Sequence, residues 1–173
     1  MTDQAPQQNG QLYVSSKHQD RWDGIVRPYS PADVESLRTP VHNDPTLARI
    51  GAERFWELLK QEGGVRTFGV DNPVEAVNAV RGGHDAVYVS GWMAAANANS
   101  DDVLPDMGLY SMRDGPELVR RLNFAFARAH QVDRDAEKSD IDWNVPIVAD
   151  IESGFGGINN VYMVAGGMVM AGA

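Results

Sequence analysis

The sequence predicts a parallel α/β fold, on three observations. Three short apolar runs, at residues 65–70, 86–89 and 145–150, are separated by stretches of helical period. The runs are apolar throughout instead of alternating, the pattern of strands covered on both faces. Residues that start and stop helices fall between them, giving the order strand, helix, strand, helix, strand, helix.

Two helices are expected ahead of the first strand. Ser30 as N-cap, Pro31 in the first helical position and Asp33 reaching back form a start signal. That helix would turn Val34 and Leu37 inward and end at Pro40. A second start stands at Asn43-Asp44-Pro45, after which Leu47, Ile50, Phe55, Leu58 and Leu59 share roughly one face until Gly63-Gly64. Residues 1–20 lack hydrophobic period and are expected to form a frayed arm.

The strands and their helices follow. Val65, Thr67, Phe68 and Val70 make the first strand, and Asn72-Pro73 opens a helix through Val74, Val77 and Val80 that Gly82-Gly83 stops. Ala86-Val87-Tyr88-Val89 is the second strand and runs into Ser90-Gly91-Trp92. A longer helix over 116–131 has Leu118, Val119, Leu122, Phe126 and Ala129 on its inner face. A solvated connection over 133–142 is expected before the third strand, Val145-Pro146-Ile147-Val148-Ala149-Asp150. A last helix begins after Gly156-Gly157, and Ala171-Gly172-Ala173 reads as the entry into a fourth strand. Three β/α units do not close a sheet on itself; a (β/α)₈ barrel takes about 250 residues. The expectation is a chain cut after its third unit.

Composition narrows the function classes. Of 173 residues, 43% are hydrophobic and 23% charged, the balance of a water-soluble globular protein. A net charge of −9 repels phosphate backbones and anionic lipid, so neither nucleic acid nor a membrane is expected as a partner. The polar, Gln-rich start does not read as a signal peptide, and the apolar end, about 13 residues from 161, is short of the roughly 20 a membrane span needs. No cysteine is present, which excludes disulfides, thiolate metal sites and a cysteine nucleophile within these residues.

In parallel α/β folds, chemistry gathers at the carboxyl ends of the strands. Two polar clusters fall there: Ser90-Gly91-Trp92, and Asp150-Ile151-Glu152-Ser153-Gly154-Phe155-Gly156-Gly157. Two carboxylates two residues apart can meet one hard cation, and magnesium is content with few protein carboxylates plus waters and an anionic substrate. An aspartate at a strand end can equally cap the next helix. Both readings stand on position alone. Trp92 has a core reading as well. His18, His42, His84 and His130 lack ligand spacing, Asp101-Asp102 suits a polar turn, Met163, Met168 and Met170 suit adaptable packing, and the paired glycines lack a phosphate-loop pattern.

Taken together the motifs are more specific. Ser90-Gly91-Trp92, then Leu104-Pro105-Asp106-Met107-Gly108-Leu109-Tyr110, then Pro146-Ile147-Val148-Ala149-Asp150 with Glu152 and Gly154-Phe155-Gly156-Gly157, resemble the isocitrate lyase family in order and spacing. Arg27-Pro28-Tyr29-Ser30, Leu47-Ala48-Arg49, Val119-Arg120-Arg121-Leu122-Asn123 and Asn160-Val161-Tyr162 extend the similarity, which runs from about residue 20 to the end.

The resemblance implies a (β/α)₈ TIM-type barrel. Residues 21–64 would be its N-terminal helical region and 65–173 its first three β/α units. It implies that Ser90, Gly91 and Trp92 hold glyoxylate with Tyr88 behind them, that Asp150 binds Mg²⁺, and that Glu152 and Asp106 hold the ion's waters. The implied reaction is retro-aldol cleavage of isocitrate to glyoxylate and succinate, in the glyoxylate cycle of a cytoplasmic homotetramer. A base removes the hydroxyl proton, the C2–C3 bond breaks, and a cysteine acid protonates the new carbanion. That cysteine and the later-strand residues that grip the other carboxylates have no match here, and the loop between Trp92 and Asp106 is about one residue short of the family pattern. The alternatives are a methylisocitrate lyase, or a non-catalytic truncated chain that only associates with other subunits.

Overall fold

The computed structural model describes residues 23–26, 28–41, 43–100, 110–136 and 140–173. They divide into two compact units between Asp44 and Pro45.

In the first unit, helix α1 (Pro31–Ser36) carries the expected capping box. The Ser30 N–H donates to Asp33 Oδ2 at 2.7 Å, and the Asp33 N–H donates to Ser30 Oγ at 3.2 Å. The helix closes at Ser36, short of Pro40, because the Leu37 N–H turns back to the Glu35 and Val34 carbonyls. Contrary to the sequence reading, Leu37 does not face inward: it is 82% exposed.

The second unit opens with α2 (Thr46–Leu59), which begins at Pro45 without a side-chain cap and ends at Lys60, ahead of Gly63-Gly64. Only Ala48 of this helix is fully buried; Leu47, Ile50 and Leu59, expected on an inner face, are exposed. Arg54 ties the helix to the connection before the last strand, donating to the Asn144 carbonyl at 3.0 Å and pairing with Asp142.

Strands β1 (Thr67–Gly69), β2 (Ala86–Val89) and β3 (Ile147–Ala149) form a parallel sheet in that order. Phe68 pairs with Val87, and Val87 with Ile147. Helix α3 (Pro73–Arg81) crosses from β1 to β2. Its N-cap is Asn72, whose side chain accepts from the Glu75 N–H at 3.0 Å, as Asn72-Pro73 predicted. After β2 come a three-residue helical turn, α4 (Gly91–Met93), and one π-helical turn (Ala94–Ala98), where the sequence pointed to a loop. Helix α5 (Asp114–Asp135) returns to β3, and α6 (Ile158–Ala171) follows it.

The core lies between the sheet and α3, α5 and α6. Val70, Val87, Val89, Leu118, Val119 and Leu122 are essentially inaccessible, with Phe126, Trp143, Ile147 and Met168 around them. Leu122 reaches no solvent, so Leu122→Ala is expected to cost about 2–5 kcal/mol through lost transfer energy and the cavity left. Denaturant unfolding of the native protein checks this; a loss within error of zero would mean α5 does not pack as described.

Three expectations need correction. Burial on both faces holds for central β2, whereas in β1, which has one neighbour, Thr67 and Phe68 are exposed. Residues 133–142 are not a solvated connection at their start: α5 runs to Asp135, and Asp133 is only 7% exposed. It accepts from Trp143 Nε1 at 3.1 Å and pairs with Arg81 at 3.2 Å, so its burial is compensated. Finally, Ala171 ends α6 instead of opening a strand. Gly172 takes φ +103 as the left-handed cap, and a Cβ there would also press on Asn123 and Leu47.

Candidate active site at the carboxyl ends of the strands

Because the three strands are parallel, their carboxyl ends lie along one edge, and the sequence places Asp71, Ser90 and Asp150 just past them. The last ladder bond draws two of these segments together: the Asp150 N–H donates to the Val89 carbonyl at 2.9 Å. Ser90 is extended (φ −76, ψ 136) and leads into α4.

The loop after β3 is tightly built. Asp150 Oδ1 accepts from the Glu152 N–H at 2.7 Å, an Asx turn that folds the chain back on its own carboxylate. Asp150 Oδ2 accepts from the Tyr88 hydroxyl at 3.1 Å. Glu152 Oε1 accepts from the Tyr110 hydroxyl at 3.2 Å. Among the described residues, neither carboxylate is ion-paired with a cationic side chain.

Gly91 shows how closely the loops after β2 and β3 approach. A Cβ built on it would lie 1.8 Å from Glu152 Oε1, 2.7 Å from the Glu152 carboxyl carbon and 2.9 Å from the Tyr110 hydroxyl. The Glu152 carboxylate therefore occupies the space any other residue at 91 would fill. Tyr88, Ser90, Gly91, Asp150 and Glu152, all singled out from sequence, thus come together at one end of the sheet. Trp92 follows in α4 with its side chain 53% exposed, so it is not core. Asp106 and the Asp101-Asp102 pair lie outside the described residues.

Two residues at this edge have no role in the sequence reading: Tyr110 enters only as the last residue of a family motif, and Asp71 is not singled out. Tyr110 is buried and packs edge-on against Phe155, ring centres 5.1 Å apart. Asp71 is buried past β1 and accepts from Asn72 Nδ2 at 2.8 Å and from Asn97 of the π turn. Its position after a strand was the available signal.

Both tyrosines are perturbed. Burial pushes the Tyr88 hydroxyl above the ordinary tyrosine range, with the Asp150 carboxylate adding to the shift. Burial also raises Tyr110, strongly, reinforced by Glu152. The fold thus favours the protonated hydroxyls. Their contribution to stability is present below the ordinary value near 10 and is lost as pH rises through the higher folded-state values. Ultraviolet titration of the native protein should show Tyr88→Phe and Tyr110→Phe each removing a step above pH ~10; removal of a step below that value would contradict the assignment.

The chemistry of the donors suits a hard divalent cation. Two half-buried carboxylates, neither ion-paired among the described residues, offer oxygen ligands, and magnesium completes its shell with water and anionic substrate. The described residues contain no cluster of three or more acidic, histidine or cysteine ligands. Two surface grooves, of about 680 and 730 Å³, lie along α5 and α6 and are not lined by the acid pair.

The fold and this edge define a parallel α/β protein with paired carboxylates on one strand-end loop and a Ser-Gly turn on its neighbour. Over residues 14–173 the sequence matches the isocitrate lyase family, and the chain belongs to that family. Among similar proteins, the isocitrate lyase of Halalkalibacterium halodurans is 40% identical over 94% of this chain and 38% of that protein. That of Escherichia coli K12 is 42% identical over 90% of this chain and 38% of its own length. The chain therefore spans a little over a third of these relatives. Among solved structures, a phosphoenolpyruvate phosphomutase from Streptomyces platensis subsp. rosaceus aligns over 70% of this chain and 35% of its own, with 28% identity and TM-score 0.52. An oxaloacetate acetylhydrolase aligns over 71% and 37%, with 19% identity and TM-score 0.52, which bears on the fold alone. Among the described residues no helix is long and apolar enough to cross a membrane.

Proposed function

We propose that this chain carries the glyoxylate- and magnesium-binding part of an isocitrate lyase, and that its sheet is the first part of a (β/α)₈ barrel. On this reading 21–64 are the N-terminal helical region and 65–173 the start of the barrel; residues 1–20, expected as an arm, lie outside the described residues. The observation that carries the proposal is the meeting of Gly91 with the Glu152 carboxylate, which brings the Ser-Gly turn and the acid pair into one site. Family membership supports the reaction proposed, cleavage of isocitrate to glyoxylate and succinate, and we extend the proposal to a glyoxylate-cycle role in a cytoplasmic homotetramer.

The residues divide the work by their chemistry. The Ser90 hydroxyl and the backbone N–H groups after it are donors suited to a two-carbon carboxylate. Asp150, with Glu152 and Asp106, would hold Mg²⁺, which when bound stabilises negative charge developing on the glyoxylate side. Tyr88 keeps Asp150 oriented through its hydroxyl. The family's proton donor is a cysteine, and these 173 residues hold none. We therefore expect these residues alone to bind without completing turnover, and turnover to need a native protein in which they are joined to the rest of an isocitrate lyase subunit.

The test is glyoxylate release by the native protein from isocitrate, with and without magnesium, beside the same assay with methylisocitrate. Magnesium-dependent cleavage of isocitrate is expected. Preference for the methylated substrate would move the assignment to its sister lyase, and cleavage of neither would end it. Glyoxylate release at an enzymatic rate by the 173-residue chain alone would overturn the division of labour.

A further inference from the structure

Two residues other than glycine in the described chain have left-handed backbones, and both lie in the loop after β3: Glu152 at φ +53 and Phe155 at φ +61. Such conformations are unfavourable for residues with a Cβ and persist only where their surroundings fix them. Both side chains are held by one residue from a distant part of the chain. The Tyr110 hydroxyl donates to Glu152 Oε1 at 3.2 Å, and the Tyr110 ring takes Phe155 edge-on at 5.1 Å. The same hydroxyl lies against Gly91, 2.9 Å from where a Cβ would be, so the tyrosine also touches the Ser-Gly turn. At 9% exposure the ring is itself fixed by packing, with Ala94 and Ala95 of the π turn in its cluster.

We propose that Tyr110 is a positioning residue that holds the acidic loop, through Glu152 and Phe155, in the shape that receives the cation. The proposal rests on the lyase reading for its purpose but not for its test. A preset loop binds without first being ordered; a loop released from Tyr110 must lose that freedom on binding, and its affinity falls accordingly.

The experiment is hydrogen exchange on the native protein without metal, comparing wild type with Tyr110→Phe, which keeps the ring and removes the hydroxyl. Exchange of the amides of 151–157 should rise about tenfold while the thermal midpoint and exchange elsewhere stay near wild type. Calorimetric titration with magnesium alone should then show affinity falling about tenfold, as for other groups that orient a metal ligand. Turnover should be recovered at saturating magnesium. Glu152→Ala, which removes the acceptor, and the double variant Tyr110→Phe/Glu152→Ala complete the cycle: the double should exchange no faster than the faster single. Unchanged exchange over 151–157 in Tyr110→Phe would overturn the proposal whether or not the protein is a lyase. Additive effects in the double variant would do the same, because Tyr110 would not be acting through Glu152.

Discussion

Asp150→Asn in the native protein is expected to abolish measurable magnesium binding and to lower kcat/KM for isocitrate by more than about 100-fold. Groups that only orient metal ligands cost about 10–100-fold when removed, and a carboxylate that itself touches the ion should exceed that. Asparagine is the informative replacement because it nearly conserves shape. Its amide oxygen can still accept from the Glu152 N–H or the Tyr88 hydroxyl, the two bonds Asp150 now makes. The variant should therefore remain folded, with near-native unfolding, while the negative charge that attracts the ion is gone. Alanine would remove both acceptors and mix loop disorder with loss of the ligand. Calorimetric titration with magnesium and an isocitrate assay read the two consequences separately. Wild-type affinity in Asp150→Asn would take the metal away from this residue.

The second large effect is expected at Gly91. An alanine there would place its Cβ 1.8 Å from Glu152 Oε1, a distance no non-bonded pair of heavy atoms tolerates, so one side must yield. The yielding group is the end of a flexible side chain, which makes the stability cost small. The functional cost is not small. Driven off, Glu152 leaves the Tyr110 hydroxyl and no longer stands beside Asp150 in the arrangement described, and the added methyl intrudes on the Ser-Gly turn. We expect Gly91→Ala to melt near wild type and to lose about 100-fold in kcat/KM, the scale at which displaced positioning groups act. A variant that is stable and fully active would separate the two loops functionally despite their contact.

Much of the fold was legible because local chemistry and tertiary structure agree. The capping box of Ser30 and Asp33, the N-cap Asn72 before Pro73 and the apolar face of α5 each have a short-range cause, and each is present. Legibility failed where the deciding partner is remote in sequence. Asp133 reads as one more charge in a polar stretch until Trp143 and Arg81 close over it. The exposed Leu47 and Leu59 show that helical period reports an apolar face, not whether these residues cover it. Ala171-Gly172-Ala173 misled because small apolar residues suit both a strand entry and a helix end, and only the left-handed φ of Gly172 decides between them.

The site divides in the same way. Asp150 and Glu152 are visible in sequence because the strand before them and the glycines after them mark a strand-end loop, and Ser90-Gly91 is visible for the same reason. Tyr110 stands in the sequence as the end of a family motif, but its role could not be found so. Its role depends on left-handed backbone at Glu152 and Phe155, which nothing in their residue types announces. The π turn after Trp92 was equally hidden, since its alanines and asparagine give no signal distinguishing it from a loop.

The central claim is that the Ser-Gly turn after β2 and the acid pair after β3 enclose a cation and a two-carbon keto-acid. Crystals of the native protein grown with manganese, as an anomalous stand-in for magnesium, and glyoxylate test it most directly. The account predicts one anomalous peak at about 2.0–2.2 Å from an Asp150 oxygen, with glyoxylate between it and Ser90-Gly91. A peak elsewhere, or glyoxylate bound away from Gly91 with no metal at Asp150, would contradict it.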